Sequence, residues 1–261
     1  VLVVRSRTKV TREIIEAGEK LKVVGRAGAG IDNIDVEAAK EKGVKVLNTP
    51  EAPAIAVAEL TIGLLLSLAR QIPRADSSMK DGRWAKKEFK GWQLNGKTLG
   101  VIGLGHIGEK VARLAKAFGM KILITKRTPP PPEILKELEA EFVPLDELLR
   151  RSDIVSLHVP LTPQTHHMIG EREIQLMKDG AFIINTSRGA VIDEKALFKA
   201  LKSGKLGGAA LDVYEVEPPE DYSLMKLPNV VCTPHIGAQT VEAQRAAATL
   251  LAQKIVNELK R

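Results

Sequence analysis

Four short stretches of this chain carry residue types that can act together in one reaction. In chain order they are Gly103-Leu104-Gly105-His106-Ile107-Gly108, Ser187-Arg188-Gly189, Glu217-Pro218 and Pro234-His235-Ile236-Gly237. The first has the spacing of a dinucleotide-binding turn, and an arginine, a carboxylate and a histidine are the groups that hydride transfer to a 2-keto acid requires. Each signal is weak alone. Together they predict a dehydrogenase that uses a nicotinamide cofactor.

The glycine turn lies in the sequence context that a dinucleotide site needs. An apolar strand, Leu99 to Ile102, precedes it, and a helix from Ile107 to Phe118 follows. Gly103 permits the tight turn, Gly105 lets the backbone approach the pyrophosphate, and Gly108 lets the helix pack closely on the strand. The alternative is a structural turn that binds no ligand.

The identity of the dinucleotide depends on the end of the next strand. An NAD site usually has an acidic residue there, which accepts hydrogen bonds from the ribose hydroxyls. This strand, Lys121 to Thr125, is followed instead by Lys126 and Arg127. Two cations at this position suit a ribose 2′-phosphate, so NADP is considered beside NAD. Alternatively, both side chains point to solvent.

The arginine, carboxylate and histidine have complementary expected roles. Arg188 follows the strand Ala181 to Asn185, at the sheet edge where open α/β folds bind ligands, and its guanidinium can hold a carboxylate and polarise a neighbouring keto oxygen. His235 can add or remove the proton on that oxygen, and Glu217 would favour the protonated imidazole and fix its tautomer. The alternatives are a surface salt bridge for Arg188 and Glu217 and a structural role for His235, as expected for the other four histidines, His106, His158, His166 and His167.

The elements that position these residues alternate between apolar strands and amphipathic helices, which is typical of a parallel sheet. The fold class is therefore α/β, a Rossmann-type doubly wound parallel sheet that a smaller α/β lobe precedes along the chain. The predicted boundaries are residues 1–49 for the first lobe, 50–236 for the dinucleotide-binding domain, and 237–261 for a C-terminal helix that returns to the first lobe. Further predicted helices span Thr11 to Lys20, with Thr11 as its cap, Val36 to Lys42 and Ala54 to Arg70. Pro129 to Pro132 is predicted to be a stiff surface loop.

Composition excludes several other classes of protein. The chain has 261 residues, of which 44% are hydrophobic, enough for one large core or two modest ones. Its apolar run from Leu60 to Ala69 is too short to cross a membrane, and a single cysteine, Cys232, leaves no internal disulfide or multi-cysteine metal site. The net charge of +7 is scattered rather than clustered, so no nucleic-acid partner, membrane contact or metal is expected. A cytoplasmic location is expected.

Taken together, the motifs resemble the D-isomer-specific 2-hydroxyacid dehydrogenases, and within that superfamily the phosphoglycerate dehydrogenases. The resemblance covers nearly the whole chain. The matching stretches are Val4-Arg5-Ser6, Val24-Gly25-Arg26-Ala27-Gly28, Asn48-Thr49-Pro50, Lys80-Asp81-Gly82-Arg83-Trp84, Asn95-Gly96-Lys97-Thr98-Leu99-Gly100, Ser187-Arg188-Gly189, Ala210-Leu211-Asp212-Val213 and Glu217-Pro218-Pro219.

The resemblance implies a role for each matched position. The catalytic residues are Arg188, Glu217 and His235. The cofactor-binding positions are Gly103, Gly105, His106, Ile107, Gly108, Lys126, Arg127, His158, Val159, Pro160, Thr186, Ser187, Arg188, Asp212, His235 and Gly237. The substrate-binding positions are Arg5, Ser6, Arg26, Gly28 and Lys86, of which Lys86 is a candidate phosphate contact.

The resemblance also implies an overall activity. The expected reaction is NAD-dependent oxidation of the 2-hydroxyl of 3-phosphoglycerate, as in serine biosynthesis. The alternatives are an NADP-dependent glyoxylate or hydroxypyruvate reductase, which Lys126 favours, and a non-catalytic dinucleotide-sensing binding protein. A small-molecule, phosphorylated 2-hydroxy acid is the expected partner, together with a second copy of the chain in a homodimer. The flavodoxin-like substrate lobe is expected to be incomplete at its N-terminus, and no C-terminal regulatory domain is expected.

Overall fold

The computed structural model describes residues 1–260, which form two compact units. One unit contains Val1–Val57 together with the segment from Gly237 onward, and the other contains Ala58–Ile236. The first boundary therefore lies at residue 57 rather than residue 49, since the start of the long helix belongs to the first unit.

The first unit is built on a small parallel sheet. Its strands are β1 (Leu2–Val4), β2 (Val23–Arg26) and β3 (Lys45–Asn48), in the order β1-β2-β3. Its helices are α1 (Arg12–Ala17), α2 (Val36–Glu41) and α10 (Val241–Leu259). Val4, Ile15 and Val24 are fully or almost fully buried in its core. α10 packs on β2 and β3, and the Nζ of Lys254 donates to the carbonyl of Asn48 at 2.9 Å.

The two short helices of this unit begin differently from one another. Asp35 caps α2, because its carboxylate accepts a hydrogen bond from the Ala38 N–H at 2.8 Å. Thr11 precedes α1 but makes no capping hydrogen bond, so that part of the prediction was wrong. The Thr11 hydroxyl instead bonds to the carboxylate of Glu13. α1 also ends at Ala17, three residues early, because Gly18 follows it.

The second unit contains a seven-stranded, all-parallel sheet in the order β10-β9-β8-β7-β4-β5-β6. Its strands are β4 (Thr98–Ile102), β5 (Lys121–Thr125), β6 (Ala140–Phe142), β7 (Ile154–Leu157), β8 (Ala181–Asn185), β9 (Leu206–Leu211) and β10 (Val230–Cys232). Its helices are α4 (Ile72–Lys80), α5 (His106–Ala117), α6 (Pro132–Leu138), α7 (Leu145–Arg151), α8 (Glu171–Leu176) and α9 (Glu194–Ser203), and α3 (Ala54–Arg70) crosses the boundary between units. The Rossmann-type prediction is confirmed.

Helices cover both faces of this sheet, so most residues of its strands are apolar. Ile183 and Ile184 are adjacent on β8, and both are fully buried, in the two different hydrophobic clusters on opposite faces. The strand order reverses between β4 and β7, and a doubly wound sheet binds its ligand at the carboxyl ends of such a pair. The glycine turn and the predicted catalytic residues Arg188, Glu217 and His235 lie in loops at that edge of the sheet.

Among residues 1–260, no single helix has both the length and the apolar composition needed to span a bilayer. The pair α3 and α4 meets the criteria jointly, with a bend of 65° between the two helices.

Candidate active site

The glycine turn lies at the carboxyl end of β4, beside the end of β7. Gly103 has φ +94°, in the left-handed region, and a Cβ on it would lie 2.5 Å from the carbonyl oxygen of His158. The residue after β7 is also hydrogen-bonded to the end of β4 here, because the His158 N–H donates to the carbonyl of Ile102 at 2.8 Å. Gly103 is therefore required by the fold itself.

Gly105 is different, because the fold does not require a glycine there. It has φ −99°, which any residue adopts, and a Cβ on it would meet no atom within 4 Å. It immediately precedes α5, whose first turn has no side-chain cap. The uncapped N–H groups and the open space in front of them fit the pyrophosphate of a dinucleotide.

Replacing Gly105 with alanine is accordingly expected to weaken cofactor binding without affecting the stability of the fold. Gly105→Ala should keep its melting midpoint within a few degrees of the parent and weaken NAD(P)H binding at least about tenfold, because the methyl group occupies the space in which the pyrophosphate approaches the backbone. Thermal unfolding and fluorescence titration measure the two effects. Gly103→Ala, the comparison, should lose stability as well. Unchanged NAD(P)H affinity in Gly105→Ala would show that no dinucleotide binds at this turn.

Two cations follow β5, the strand beside the glycine turn. The Nζ of Lys126 donates to the carbonyl of Leu104 in that turn, at 3.5 Å, and Lys126 is partly buried. Arg127 is exposed. Lys126 thus lies against the turn, where an acidic residue would be expected in an NAD site.

Arg188 is held in a hydrogen-bonded loop at the end of β8. The buried Asn185 fixes this loop, because its Nδ2 donates to the Arg188 carbonyl at 2.8 Å and its Oδ1 accepts from the N–H and hydroxyl of Ser187 at 3.0 and 2.8 Å. Thr186, also buried, shares a hydrogen bond with Thr61 on α3 at 2.9 Å. Arg188 itself is only partly buried, so its guanidinium can meet a ligand.

Glu217 and His235 form a close contact beyond the ends of β9 and β10. The Nδ1 of His235 lies 2.6 Å from the Oε2 of Glu217, and the other carboxylate oxygen accepts from the Tyr214 N–H at 3.1 Å. Burial raises the pKa of Glu217, but the hydrogen bond and charge of His235, the Tyr214 N–H and the charge of Arg188 together hold it below the usual value. Glu217 is therefore an ionised acceptor, which places the proton of the imidazole on Nδ1 and leaves Nε2 free to exchange a proton with a substrate.

Asp212 fixes the segment that carries His235. Its Oδ1 accepts from the hydroxyl of Thr233 at 2.6 Å and from the N–H of Ile236 at 2.8 Å, on either side of the histidine. His235 has φ +53°, a conformation that few residues other than glycine adopt. The side chain of His235 is nevertheless 46% exposed, so its position is set by the loop rather than by packing.

His158 is a partly buried base at the switch point. Its Nε2 shares a hydrogen bond of 2.8 Å with the hydroxyl of Ser156, whereas its Nδ1 is buried and has no hydrogen-bond partner among the described residues. Burial lowers the pKa of His158 to about 3. The ring is therefore neutral in the folded protein at all but acidic pH.

The lowered pKa of His158 predicts a loss of stability in acid. Near pH 6.5 the unfolded chain takes up a proton on His158, and the folded chain does not. The contribution of this residue to the free energy of unfolding is therefore complete above about pH 6.5. It is lost towards pH 3, at about 1.4 kcal/mol per pH unit. Between pH 7 and pH 5, the free energy of unfolding measured in urea should fall by about 2 kcal/mol more in the parent than in His158→Gln. His166→Gln, the control for an exposed histidine, should lose as much as the parent. Equal losses in the parent and His158→Gln would contradict the assignment.

Four of the predicted substrate residues lie together at the carboxyl edge of the three-stranded sheet. Arg5 and Ser6 follow β1, and the side chain of Arg26, at the end of β2, passes over Gly28. Gly28 is fixed by Thr49, whose hydroxyl accepts from the Gly28 N–H at 2.9 Å. Lys86 does not belong to this group, because it lies in a short 3-10 turn, Lys86–Glu88, of the other unit.

The remaining predicted cofactor positions lie at three places. His106 and Ile107 begin α5, Val159 and Pro160 follow His158, and Gly237 directly follows Ile236. In residues 1–260, no group of three or more His, Cys, Asp or Glu side chains is arranged to hold a metal ion.

Sequence patterns missed three residues beside the site. Glu194, Glu215 and His167 lie close together next to the turn that carries Glu217, with His167 Nε2 and Glu215 Oε1 3.0 Å apart. Glu215 lies two residues before Glu217, which was the one available signal. Glu194 and His167 come from other parts of the chain, and neither lies in a motif that marks a site.

Comparison with known proteins gives the family. Residues 62–237 match the family model described as the NAD-binding domain of the D-isomer-specific 2-hydroxyacid dehydrogenases. The chain belongs to this family. That membership accounts for the glycine turn, the cofactor-side loops and the order of Arg188, Glu217 and His235 along the chain.

Individual members of the 2-hydroxyacid dehydrogenase family match nearly all of the chain. D-3-phosphoglycerate dehydrogenase from Methanocaldococcus jannaschii is 58% identical over 261 residues, which are 100% of this chain and 50% of that protein. Hydroxypyruvate reductase from Thermotoga maritima is 57% identical, over 99% of this chain and 84% of that protein. The structure of D-lactate dehydrogenase from Aquifex aeolicus, complexed with NAD and lactic acid, superposes with a TM-score of 0.89 at 35% identity and covers 99% of this chain and 82% of that one. The chain thus spans half the length of the phosphoglycerate dehydrogenase.

Proposed function

We propose that this chain carries the active site of an NAD(P)-dependent D-2-hydroxyacid dehydrogenase that oxidises the 2-hydroxyl of 3-phosphoglycerate to 3-phosphohydroxypyruvate. One observation carries the proposal: the 2.6 Å contact between His235 Nδ1 and Glu217 Oε2, at the same sheet edge as Arg188 and the glycine turn. The Methanocaldococcus relative, named D-3-phosphoglycerate dehydrogenase, supports the choice of substrate.

The side chains of this site have the chemistry for such a reaction. The guanidinium of Arg188 binds the substrate carboxylate through paired hydrogen bonds. Nε2 of His235 takes the proton of the 2-hydroxyl during oxidation and returns it during reduction, while ionised Glu217 stabilises the imidazolium. A bound nicotinamide supplies the hydride chemistry that side chains cannot.

The substrate phosphate is assigned to cations of the predicted substrate group. Arg5 and Arg26 lie at the carboxyl edge of the three-stranded sheet, and Arg5 is exposed there. Lys86 is also exposed in its own unit. Arg5 and Arg26 carry the paired donors and the positive charge that a phosphate accepts, which favours a phosphorylated acid as the substrate.

A second candidate function is an NADP-dependent glyoxylate or hydroxypyruvate reductase. The position of Lys126 against the glycine turn favours it, since a cation at this strand end complements a 2′-phosphate. The Thermotoga relative, named hydroxypyruvate reductase, is similar over a larger share of its own length. The two candidates use the same Arg188, Glu217 and His235.

The deciding experiment titrates the purified chain with NADH and with NADPH, and then compares turnover of 3-phosphoglycerate, glycerate, hydroxypyruvate and glyoxylate. Cofactor reduction that requires 3-phosphoglycerate and is at least tenfold slower with glycerate supports the first candidate. Preference for NADPH with turnover of the unphosphorylated acids supports the second. Cofactor binding without turnover of any of these acids overturns both, in favour of a dinucleotide-sensing protein.

We also propose that the chain acts as a homodimer. Ile72 and Met79 on α4 and Trp84 after it have exposed fractions of 49, 56 and 80%, and apolar surface of this kind is typical of an interface. The sedimentation coefficient should therefore be that of a dimer. Trp84→Ala should weaken the dimer about thirtyfold, as for an aromatic residue at the centre of an interface. A monomeric parent at micromolar concentration would contradict this proposal.

A further inference from the structure

Two glutamates near the His235–Glu217 contact are joined by a reciprocal pair of hydrogen bonds, in which the carboxylate of each accepts from the backbone N–H of the other. Glu194 is the first residue of α9, and Glu215 lies in the turn after β9. The Glu194 N–H donates to Glu215 Oε1 at 2.9 Å, and the Glu215 N–H donates to Glu194 Oε1 at 2.7 Å. Each side chain thus holds the main chain of the other residue. We call this pair the glutamate brace.

The brace acts on the turn that presents Glu217. Only Val216 separates Glu215 from Glu217, and the N–H of the preceding Tyr214 holds Glu217 Oε1 at 3.1 Å. That hydrogen bond leaves Oε2 to face His235. A shift of the 214–215 backbone therefore moves the carboxylate that orients the imidazole.

The same backbone lies against Gly189, the residue after Arg188. A Cβ on Gly189 would lie 1.8 Å from the carbonyl carbon of Tyr214 and 2.4 Å from the nitrogen of Glu215. On the other side, the Tyr214 hydroxyl donates to the carbonyl of Thr233 at 2.9 Å, two residues before His235. The turn is thus in contact with the segments that carry Arg188 and His235.

Several charged groups lie close to the brace. Burial, with the nearby charges of Glu215 and Glu217, raises the pKa of the half-buried Glu194, although the N–H of Glu215 opposes the shift. His167 faces Glu215 from the loop before α8, at 3.0 Å, and has φ +51°. Its backbone is fixed there by the hydrogen bond from its N–H to the Ala190 carbonyl at 2.8 Å. A histidine in a rarely populated conformation is therefore held towards the carboxylate of Glu215.

We infer that Glu194 and Glu215 are positioning residues for the His235–Glu217 contact, which they act on through the turn from Tyr214 to Glu217. They touch neither substrate nor cofactor in this role. The consequence for turnover rests on the proposed function, but the consequence for the His235–Glu217 hydrogen bond does not. A brace that served only the fold would leave that hydrogen bond unchanged.

The test uses the Nδ1 proton of His235, which a hydrogen bond to a carboxylate moves far downfield in the proton NMR spectrum. The chain has five histidines, so loss of the signal in His235→Gln assigns it. In Glu215→Ala and in Glu194→Ala the signal should shift or broaden away. Glu215→Gln should retain it, because the amide oxygen still accepts from the Glu194 N–H. Glu220→Ala, at an exposed glutamate three residues after Glu217, is the matched control.

Turnover gives a second, independent measure. In Glu215→Ala, kcat should fall at least about tenfold, whereas KM for the cofactor should stay within about twofold of the parental value. The reason is that general base catalysis contributes about 10²- to 10⁴-fold to the rate, and a displaced base loses part of that contribution. Glu215→Gln should recover most of that loss. An inactive parent would overturn the proposed function alone, since the NMR comparison still decides the role of the brace.

An unchanged His235 signal in both alanine variants overturns the inference, whatever the rates. Should the alanine variants not fold, Glu215→Asp and Glu194→Asp provide the same comparison. Each keeps the charge and shortens the side chain by one methylene, so that it no longer spans the distance to the other backbone. A folded aspartate variant with the parental His235 signal would equally show that the brace has no positioning role.

Discussion

Replacing His235 with glutamine is expected to lower kcat by about 10²- to 10⁴-fold in both directions of the reaction, the usual contribution of a general acid or base. Glutamine has a similar size and can still accept from or donate to Glu217, but it cannot exchange a proton at the position of Nε2. Because the glycine turn and Lys126 are untouched, the dissociation constants of NADH and NADPH should stay within about twofold. Steady-state kinetics and fluorescence titration measure these quantities.

His166→Gln is the matched control for this substitution. His166 is exposed, and its ring centroid lies 4.0 Å from that of His167, on which it stacks. The control should keep at least half of the parental kcat, so that the loss in His235→Gln is specific to that position. If His235→Gln retained full turnover, proton transfer by this histidine would be ruled out, and with it the proposed mechanism.

The alternating pattern of the sequence predicted most of the fold because parallel strands buried on both faces are continuously apolar. β5 and β8 have the predicted bounds, Lys121–Thr125 and Ala181–Asn185. The strand β6 was missed because it has three residues and includes a polar Glu141. Pro132 was assigned to a loop but begins α6, since proline is well suited to the first turn of a helix.

The candidate site was predictable where its signal is local. The glycine turn has its own spacing, and Arg188, Glu217 and His235 each follow a strand, so topology alone gathers them at one sheet edge. The glutamate brace is not local. Its hydrogen bonds join side chains to backbone N–H groups 21 residues apart, and such bonds leave no pattern in the sequence. The same holds for the buried Nδ1 of His158, which has no hydrogen-bond partner within residues 1–260 as a result of packing.

Replacing Lys126 with aspartate is expected to reverse the choice between the two nicotinamide cofactors. Loss of a charge-assisted hydrogen bond, worth about 1.5–3 kcal/mol, weakens NADPH binding by about 10- to 100-fold. The new carboxylate can accept from the ribose hydroxyls of NADH at the end of β5, as acidic residues do at this position, and it repels a 2′-phosphate. The ratio of the two dissociation constants should therefore change by about 100-fold or more, measured by fluorescence titration without any substrate.

Lys121→Asp provides the control, because Lys121 is the first residue of the same strand and lies exposed at its opposite end. It makes the same change in charge but should leave both dissociation constants within about twofold, since the amino ends of the strands lie away from the glycine turn. Arg127→Ser in the Lys126→Asp background should remove the affinity for the 2′-phosphate that remains. If the ratio stays constant in Lys126→Asp, Lys126 and Arg127 are solvated bystanders. NADH and NADPH would then be distinguished elsewhere in the site, and Lys126 would no longer favour a reductase over a phosphoglycerate dehydrogenase.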